Sequence, residues 1–316
     1  MRRDIEFKSK GVTCRGWLYT PDEGKKPYPV MVLAGGWCYV KEIVMPFYAE
    51  MFAKAGCAAL VFDYRNFGGS DGQPRQHFDH IMQMEDYKNA ISFVETLPEV
   101  DPERIGIYGI SLSGGTTLVV AATDPRVKCV VSVVGVMDGY ANARRSHGFN
   151  GFPRLVKAIM EDRKRRFEGK PSEYIPMSTT DPEKVLAAWP YPDTYEVFTR
   201  IQKTVAPLHE HRNTIESVEN LMNYNVWGYL DRILYTAVLM IVTEGDRHTP
   251  WDFQIKAFNL IQSTRKKMVV IPKTGHMDIY SEQAKLEMAA KAATEWVVEQ
   301  LVKPYEKGAA GAVSQK

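Results

Sequence analysis

The chain has 316 residues, of which 45% are hydrophobic and 25% charged, and its 40 basic and 38 acidic side chains leave a formal net charge of +2. Such a length and mix describe a globular chain able to bury a sizeable core, and the balanced charge excludes a global electrostatic drive toward nucleic acid or membrane. Four scattered cysteines (Cys14, Cys38, Cys57, Cys129) form no C-x-x-C pair and read as reduced thiols of a cytoplasmic protein rather than a disulfide framework. The N-terminus has no apolar h-region, so no signal peptide is expected, and no apolar run approaches the roughly 20 residues a membrane span needs.

Residues 3–8 and 13–19 alternate in polarity and predict two antiparallel strands joined at Lys10-Gly11. "YPVMVLAGG" (28–36) is a continuous apolar run ending in glycine, as in a strand buried on both faces. A helix is expected at 45–55, a buried strand at 57–64 ("CAALVFDY") and a helix at 79–97, ending before Pro98. "RIGIYGI" (104–110) reads as a strand, 112–123 as a helix and 127–136 as a strand. From Asp138 to about Asp231 no strand-like apolar run occurs, and this charged, Pro- and aromatic-rich segment predicts several helices with loops. Alternation resumes with a strand at 236–245, a helix near 251–263, a strand at 267–272 and a long helix at 281–303. The small, polar residues 305–316 predict a disordered tail.

This order implies an α/β protein with a mostly parallel central sheet flanked by helices. The core is discontinuous, 1–137 and 232–304, and is interrupted by a helical cap at 138–231. Ligands of such sheets bind at the carboxyl ends of the strands, where chemistry is to be sought.

Gly109-Ile110-Ser111-Leu112-Ser113 stands between a strand and a helix, one residue away from the G-x-S-x-G of a nucleophile elbow. Strand and helix approach closely in that geometry, and Ser113 is small enough to stand where the final glycine would. The competing reading of Ser111 is an ordinary helix N-cap. A serine nucleophile needs a base, and the base needs an orienting acid. In the chain order of this motif, acid and then histidine follow the serine at the ends of later strands. Asp246 and His276 occupy those places, with Asp138 as the rival acid. His248 lies too close to Asp246 to come from a separate strand, His77 and His80 precede the serine, and His147, His209 and His211 read as surface or cap residues. Backbone N–H groups of Leu112 and of Trp37, after Gly35-Gly36, are the candidate oxyanion hole. Asp63 and Arg65 read as a polar turn beneath the site.

With these residues placed, the sequence resembles the α/β-hydrolase superfamily. Within it, the chain is similar to the bacterial and fungal branch related to Xaa-Pro dipeptidyl-peptidases, cocaine-esterase-like enzymes and polyketide-cluster acyl hydrolases and transferases. The segments that carry this are "VKE" (40–42), "DYRNFGGSDGQPRQH" (63–77), "EDYKNAISFVETLPEVDPERIGIYGISLSGG" (85–115), "EGDRHTP" (244–250) and "TGHMDIY" (274–280), and the likeness covers about 1–138 and 232–304. It implies Ser111 as nucleophile, Asp246 as acid and His276 as base, with G-x-S-x-S-G-G a familiar variant. The chain departs at the oxyanion loop, where the branch usually begins His-Gly and this sequence has Gly35-Gly36.

The expectation is a serine hydrolase cleaving a carboxylic ester, with no metal or cofactor. Thioester hydrolysis, acyl transfer and peptide cleavage on the same triad are the alternatives, and a non-catalytic binding protein on this fold is a further one. Aromatic residues of the insertion, with Tyr140, Trp189 and Trp227 as candidate substrate contacts, point to a small apolar or aromatic acyl substrate. The basic run 161–170 reads as a solvated helix face, with attraction of an anionic coenzyme A or phosphopantetheine thioester as the sharper alternative. No nucleic-acid or membrane partner is expected, and a homodimer stays open.

Overall fold

The apolar runs become the inner strands of an eight-stranded sheet. In the computed structural model, which describes residues 1–303, the first half runs β1 (Arg2–Ser9), β2 (Val12–Tyr19), β3 (Tyr28–Ala34), α1 (Met45–Lys54), β4 (Ala58–Phe62), α2 (His80–Glu95), β5 (Val100–Ile110), α3 (Leu112–Thr123) and β6 (Val127–Val133). The insertion carries α4 (Gly139–Phe167), β7 (Tyr174–Pro176), α5 (Pro192–Thr204), β8 (Arg212–Thr214) and α6 (Ile215–Met222). The chain returns through β9 (Ala237–Thr243), α7 (Trp251–Leu260), β10 (Lys266–Ile271), α8 (Asp278–Ser281) and α9 (Gln283–Val297), followed by a π-helical turn to Val302. The expected disordered tail lies outside the described residues.

The sheet order is β1-β2-β4-β3-β5-β6-β9-β10, antiparallel at β1/β2 and β2/β4 and parallel from β4 to β10. Strands β3, β4 and β9 are buried at every position. Helices must therefore cover both faces: α1 packs with α9, and α2 with α3. The strand order reverses around β3, which has β4 on one side and β5 on the other. Ala34 pairs with Gly109, so the loop after β3 and the turn after β5 emerge side by side at the carboxyl edge. No helix among the described residues is long and apolar enough to cross a membrane.

The insertion differs from expectation in two details. It holds a short antiparallel ribbon, β7 with β8, which three-residue strands cannot announce by periodicity. Its long helix α4 breaks at Gly148 (φ 62°, ψ −168°), five residues before Pro153, because a proline inside a helix removes a hydrogen-bond donor and crowds the preceding turn. The basic end of α4 is tied down: Arg163 and Arg166 pair with Glu219, and Arg166 also with Asp162 and Glu216. All four cysteines are free and buried.

Candidate active site

Ser111 stands at the junction of β5 and α3 with φ 57° and ψ −123°, and its side chain makes no capping hydrogen bond. The capping reading is thereby removed. A non-glycine residue at positive φ is strained and persists only where the surroundings hold it. Here the main chain does so: the Ser111 N–H donates to Val133 O at 2.9 Å, and its carbonyl accepts from Gly114 at 3.0 Å and Val136 at 3.0 Å. The neighbouring glycines are required by close approach. A Cβ on Gly109 would lie 2.2 Å from the Ser113 carbonyl oxygen, and one on Gly115 2.0 Å from that of Val136. Ser113 is more than a tolerated replacement. Its buried hydroxyl accepts from the Ile110 N–H at 2.8 Å and lies 2.9 Å from the Ala34 carbonyl, bracing the turn to the end of β3.

The ends of β9 and β10 bring Asp246 and His276 to this turn. Ser111 Oγ lies 3.2 Å from His276 Nε2, and His276 Nδ1 lies 2.9 Å from Asp246 Oδ2. Both partners are buried. The other Asp246 oxygen accepts the N–H groups of His248 (2.8 Å) and Thr249 (2.9 Å), and the Thr249 hydroxyl donates to Oδ2 at 2.8 Å. Burial by itself raises the Asp246 pKa; the facing His276 imidazole and these donors outweigh it and hold the carboxyl below its usual range. An ionised Asp246 fixes the Nδ1–H tautomer of His276 and leaves Nε2 free to accept the serine proton. Asp138, the rival acid, is committed elsewhere: it caps α4 through the Ala141 N–H (2.9 Å) and accepts from Trp227 Nε1 at 2.8 Å.

Leu112 opens α3, where a main-chain N–H has no intrahelical acceptor. The loop after β3 closes on Ser111 from the other side, since a Cβ on Gly36 would lie 3.0 Å from Ser111 Cβ and 2.9 Å from Ile110 O. Tyr39 covers both loop glycines; its ring atoms come within 2.6 Å of the position a Cβ would take on either. An imidazole at position 35 and the Tyr39 ring exclude each other, which accounts for Gly35 in place of histidine. Trp37 is buried, donates from Nε1 to Asn213 Oδ1 at 3.3 Å and packs on Phe78 and Trp189. Asp63 ties the loop's far end by accepting from the Lys41 N–H (2.7 Å) and Nζ (2.8 Å), while Arg65 pairs with Asp86.

A small cavity of about 40 Å³ opens onto Ser111 and His276, with Trp37, Tyr39, Trp189, Phe198 and Tyr280 on its walls. Of the three aromatic residues expected at the substrate, only Trp189 lines it. Tyr140 faces a separate open depression beside Phe149 and Phe152, and Trp227 is held by Asp138 and packs on Phe253. Tyr140, on the first turn of α4, packs on Phe152 beyond the Gly148 break, and Asp138, the N-cap of α4, holds the Trp227 indole. Sequence reasoning missed Tyr39, Phe198, Tyr280 and His248, all cavity residues. Tyr39 and Tyr280 follow Gly36 and His276 by three and four residues, a spacing that could have signalled them. Of the insertion histidines, His209 is buried rather than on the surface, while His211 and His147 are half-buried, 2.7 Å from Ser178 Oγ and 3.0 Å from Ala188 O.

A parallel sheet with a strained serine at its switch point, a histidine and a carboxylate at later strand ends defines the α/β-hydrolase class. The chain belongs to the X-Pro dipeptidyl-peptidase (S15) family, whose model matches residues 10–175. It is 29% identical over 283 residues to a thiohydrolase of Eupenicillium brefeldianum, covering 89% of each chain. It is 27% identical over 282 residues to polyketide transferase grgF of Penicillium sp, covering 88% of this chain and 90% of that one. The crystal structure of the alpha/beta hydrolase GrgF from Penicillium sp. sh18 superposes with a TM-score of 0.80 at 24% identity, covering 95% of this chain and 99% of that one, and so shares the fold. Family and fold make the chain a hydrolase-type enzyme of the acyl-transfer kind.

Proposed function

We propose that this protein is a serine hydrolase that cleaves a carboxylic ester through a covalent acyl-enzyme. The observation that carries this reading is the unbroken line Asp246–His276–Ser111, at 2.9 and 3.2 Å, ending on a serine in strained backbone. His276 takes the Ser111 proton as Oγ attacks the carbonyl carbon, and the N–H groups of Leu112 and Trp37 hold the oxyanion. Protonated His276 then gives its proton to the leaving alkoxide, and a water activated by His276 releases the acid and restores Ser111. Residues 138–231 serve as a cap, excluding water from this chemistry. Four free, buried thiols fit a cytoplasmic setting.

The walls select the substrate. They are mostly aromatic or aliphatic and carry no carboxylate, which suits a neutral apolar or aromatic acyl group. A dipeptidyl-peptidase needs carboxylates to grip a free amino terminus, so the wall chemistry disfavours peptide cleavage despite the family's name. Thioester cleavage or acyl transfer is the second reading, favoured by the relatives named thiohydrolase and polyketide transferase.

A fluorophosphonate probe tests the nucleophile. Stoichiometric labelling at Ser111, absent in Ser111→Ala, is expected; folded wild-type protein without adduct would sink the assignment. A panel of aryl ester, acyl thioester and X-Pro anilide tests the substrate class, with the ester expected to show the highest kcat/KM. A thioester preferred by about 10-fold or more, a 1.4 kcal/mol difference in transition-state binding, would replace the esterase reading with the thioesterase one.

A further inference from the structure

His248 follows Asp246 by two residues, and chain order gives it no role. In the fold its imidazole stacks on that of His276, with centroids 5.2 Å apart and planes inclined by 16°. Tyr191 lies against the same ring at 3.9 Å. Its Nε2 is 3.1 Å from Asp193 Oδ1 and 3.1 Å from Thr194 Oγ1, both on the first turn of α5. Its main-chain N–H donates to the catalytic-loop carboxylate of Asp246, and its carbonyl accepts from Asn142 Nδ2 at 2.7 Å. Next to it, the Arg247 carbonyl accepts from the Tyr191 hydroxyl at 3.0 Å, and the Arg247 guanidinium pairs with Asp193 at 3.2 Å. Asn142, Tyr191, Asp193 and Thr194 all belong to the insertion, and all hold the two loop residues that follow Asp246.

We propose that His248 is a positioning residue for His276, anchored by Asp193 and Thr194, so that the triad is complete only when the insertion is seated. Asp193 can only accept, so neutral His248 carries its proton on Nε2. Its Nδ1 is buried without a partner. A second proton there would be an unpaired buried donor beside His276, which turns positive each time it accepts the Ser111 proton. Burial holds the His248 pKa below its ordinary value, and His276 adds to this, while Asp193 and Asp246 pull the other way. Neutral His248 thus gives His276 a flat face to rest on with no like charge opposite. The tautomer is set from the insertion and the plane of the base is set by His248. Together they couple the cover of the cavity to its chemistry. This rests on the reading of Ser111, His276 and Asp246 as a triad.

Kinetics and fluorophosphonate labelling rates of four variants test it, with thermal midpoints confirming that each is folded. Asp193→Ala and His248→Phe, which keeps a ring, should each lower kcat about 20-fold with KM changed less than 2-fold, as small misplacements of a catalytic group do. Labelling rates should fall in parallel. Asp193→Asn, which keeps an oxygen facing Nε2, should recover to within about 5-fold of wild type. The Asp193→Ala/His248→Phe double variant should lose no more than the worse single one, since the two side chains act as a unit. Losses that multiply in the double variant, or that fall on KM with labelling unchanged, overturn the proposal alone. A wild type that does not label at Ser111 overturns the triad and the proposal with it.

Discussion

Two glycine turns meet at the carboxyl ends of β3 and β5, and they are built by different means. The turn after β5 is fixed largely by main chain, with the Ser113 hydroxyl as a side-chain brace: carbonyls of Ser113 and Val136 fill the space beside Gly109 and Gly115, and Val133 and Val136 hold Ser111. The turn after β3 is fixed mostly by side chains: apart from Ile110 O against Gly36, it rests on the Tyr39 ring over Gly35 and Gly36, Trp37 on Asn213, Phe78 and Trp189, and Asp63 on Lys41. A turn made of backbone contacts tolerates little change, whereas a turn propped by side chains shifts with each of them. The first turn is thus suited to hold the proposed nucleophile in one place. The second is suited to adapt the oxyanion side and the acyl wall to a substrate.

The sharpest way to break this division is at the acid that the backbone-built half depends on. Asp246→Asn should lower kcat about 10⁴-fold by stabilising the wrong His276 tautomer. Asp138→Asn should leave kcat within about 3-fold and at most lower stability by about 1 kcal/mol, the typical worth of a helix cap. Steady-state kinetics on both proteins check this, and the reverse ranking would mean that the wrong carboxylate has been chosen.

Alanine at one glycine in each turn compares the two halves directly. Gly115→Ala drives a Cβ to 2.0 Å from the Val136 carbonyl oxygen, part of the main chain that cannot step aside. A loss of about 3 kcal/mol or more in unfolding free energy is expected, read by denaturant titration. Gly36→Ala meets the Tyr39 ring at 2.6 Å, Ile110 O at 2.9 Å and Ser111 Cβ at 3.0 Å, so its main-chain clash is far milder than the 2.0 Å at Gly115 and its tightest neighbour is a side chain that can move. That variant should fold, yet lose about 10²-fold in kcat as the Trp37 N–H leaves its proposed oxyanion position. Equal stability losses at the two glycines would erase the distinction.

The same division explains what the sequence could and could not announce. Buried runs such as 28–34 and 237–243 declared the strands because both faces are covered, and strand ends then located Ser111, Asp246 and His276 without reference to packing. The walls of the cavity depend on tertiary placement. Trp189 reaches it and Trp227 does not, although both are insertion aromatics, because Asp138 captures the indole of Trp227. His248 was passed over because proximity to Asp246 in sequence argued against a role, and only its link to α5 gives it one. Ser113 showed its size in the sequence but not its hydrogen bonds to Ile110 and Ala34.

The smallest expected effect concerns acid, and it should strike the side-chain-propped half first. Behind Tyr39 lies Phe198, with ring centroids 5.6 Å apart, and behind Phe198 lies His209, at 5.4 Å. Burial pushes the His209 pKa down to about 3, with nearby His211 adding to the shift, and neither His209 nitrogen has a partner. An unfolded histidine binds its proton near pH 6.5. Between about pH 6.5 and 3 the unfolded chain therefore holds a proton that the folded one excludes. Stability from this group is full above that window and falls as pH drops through it, by at most about 1.4 kcal/mol per pH unit. Behind the β5 turn His80 packs on Tyr224, at 5.9 Å, and Tyr224 donates to Val136 O, but His209 is the more deeply buried and has neither nitrogen partnered, so near pH 5 Ser111 labelling should decline before tryptophan fluorescence reports global unfolding. His209→Phe should flatten that early decline while leaving the pH of global unfolding shifted only slightly, because His77, His80, His147, His211 and His248 are also held neutral by burial. A His209→Phe protein that loses labelling at the same pH as wild type would show that the oxyanion loop does not feel the packing behind Tyr39.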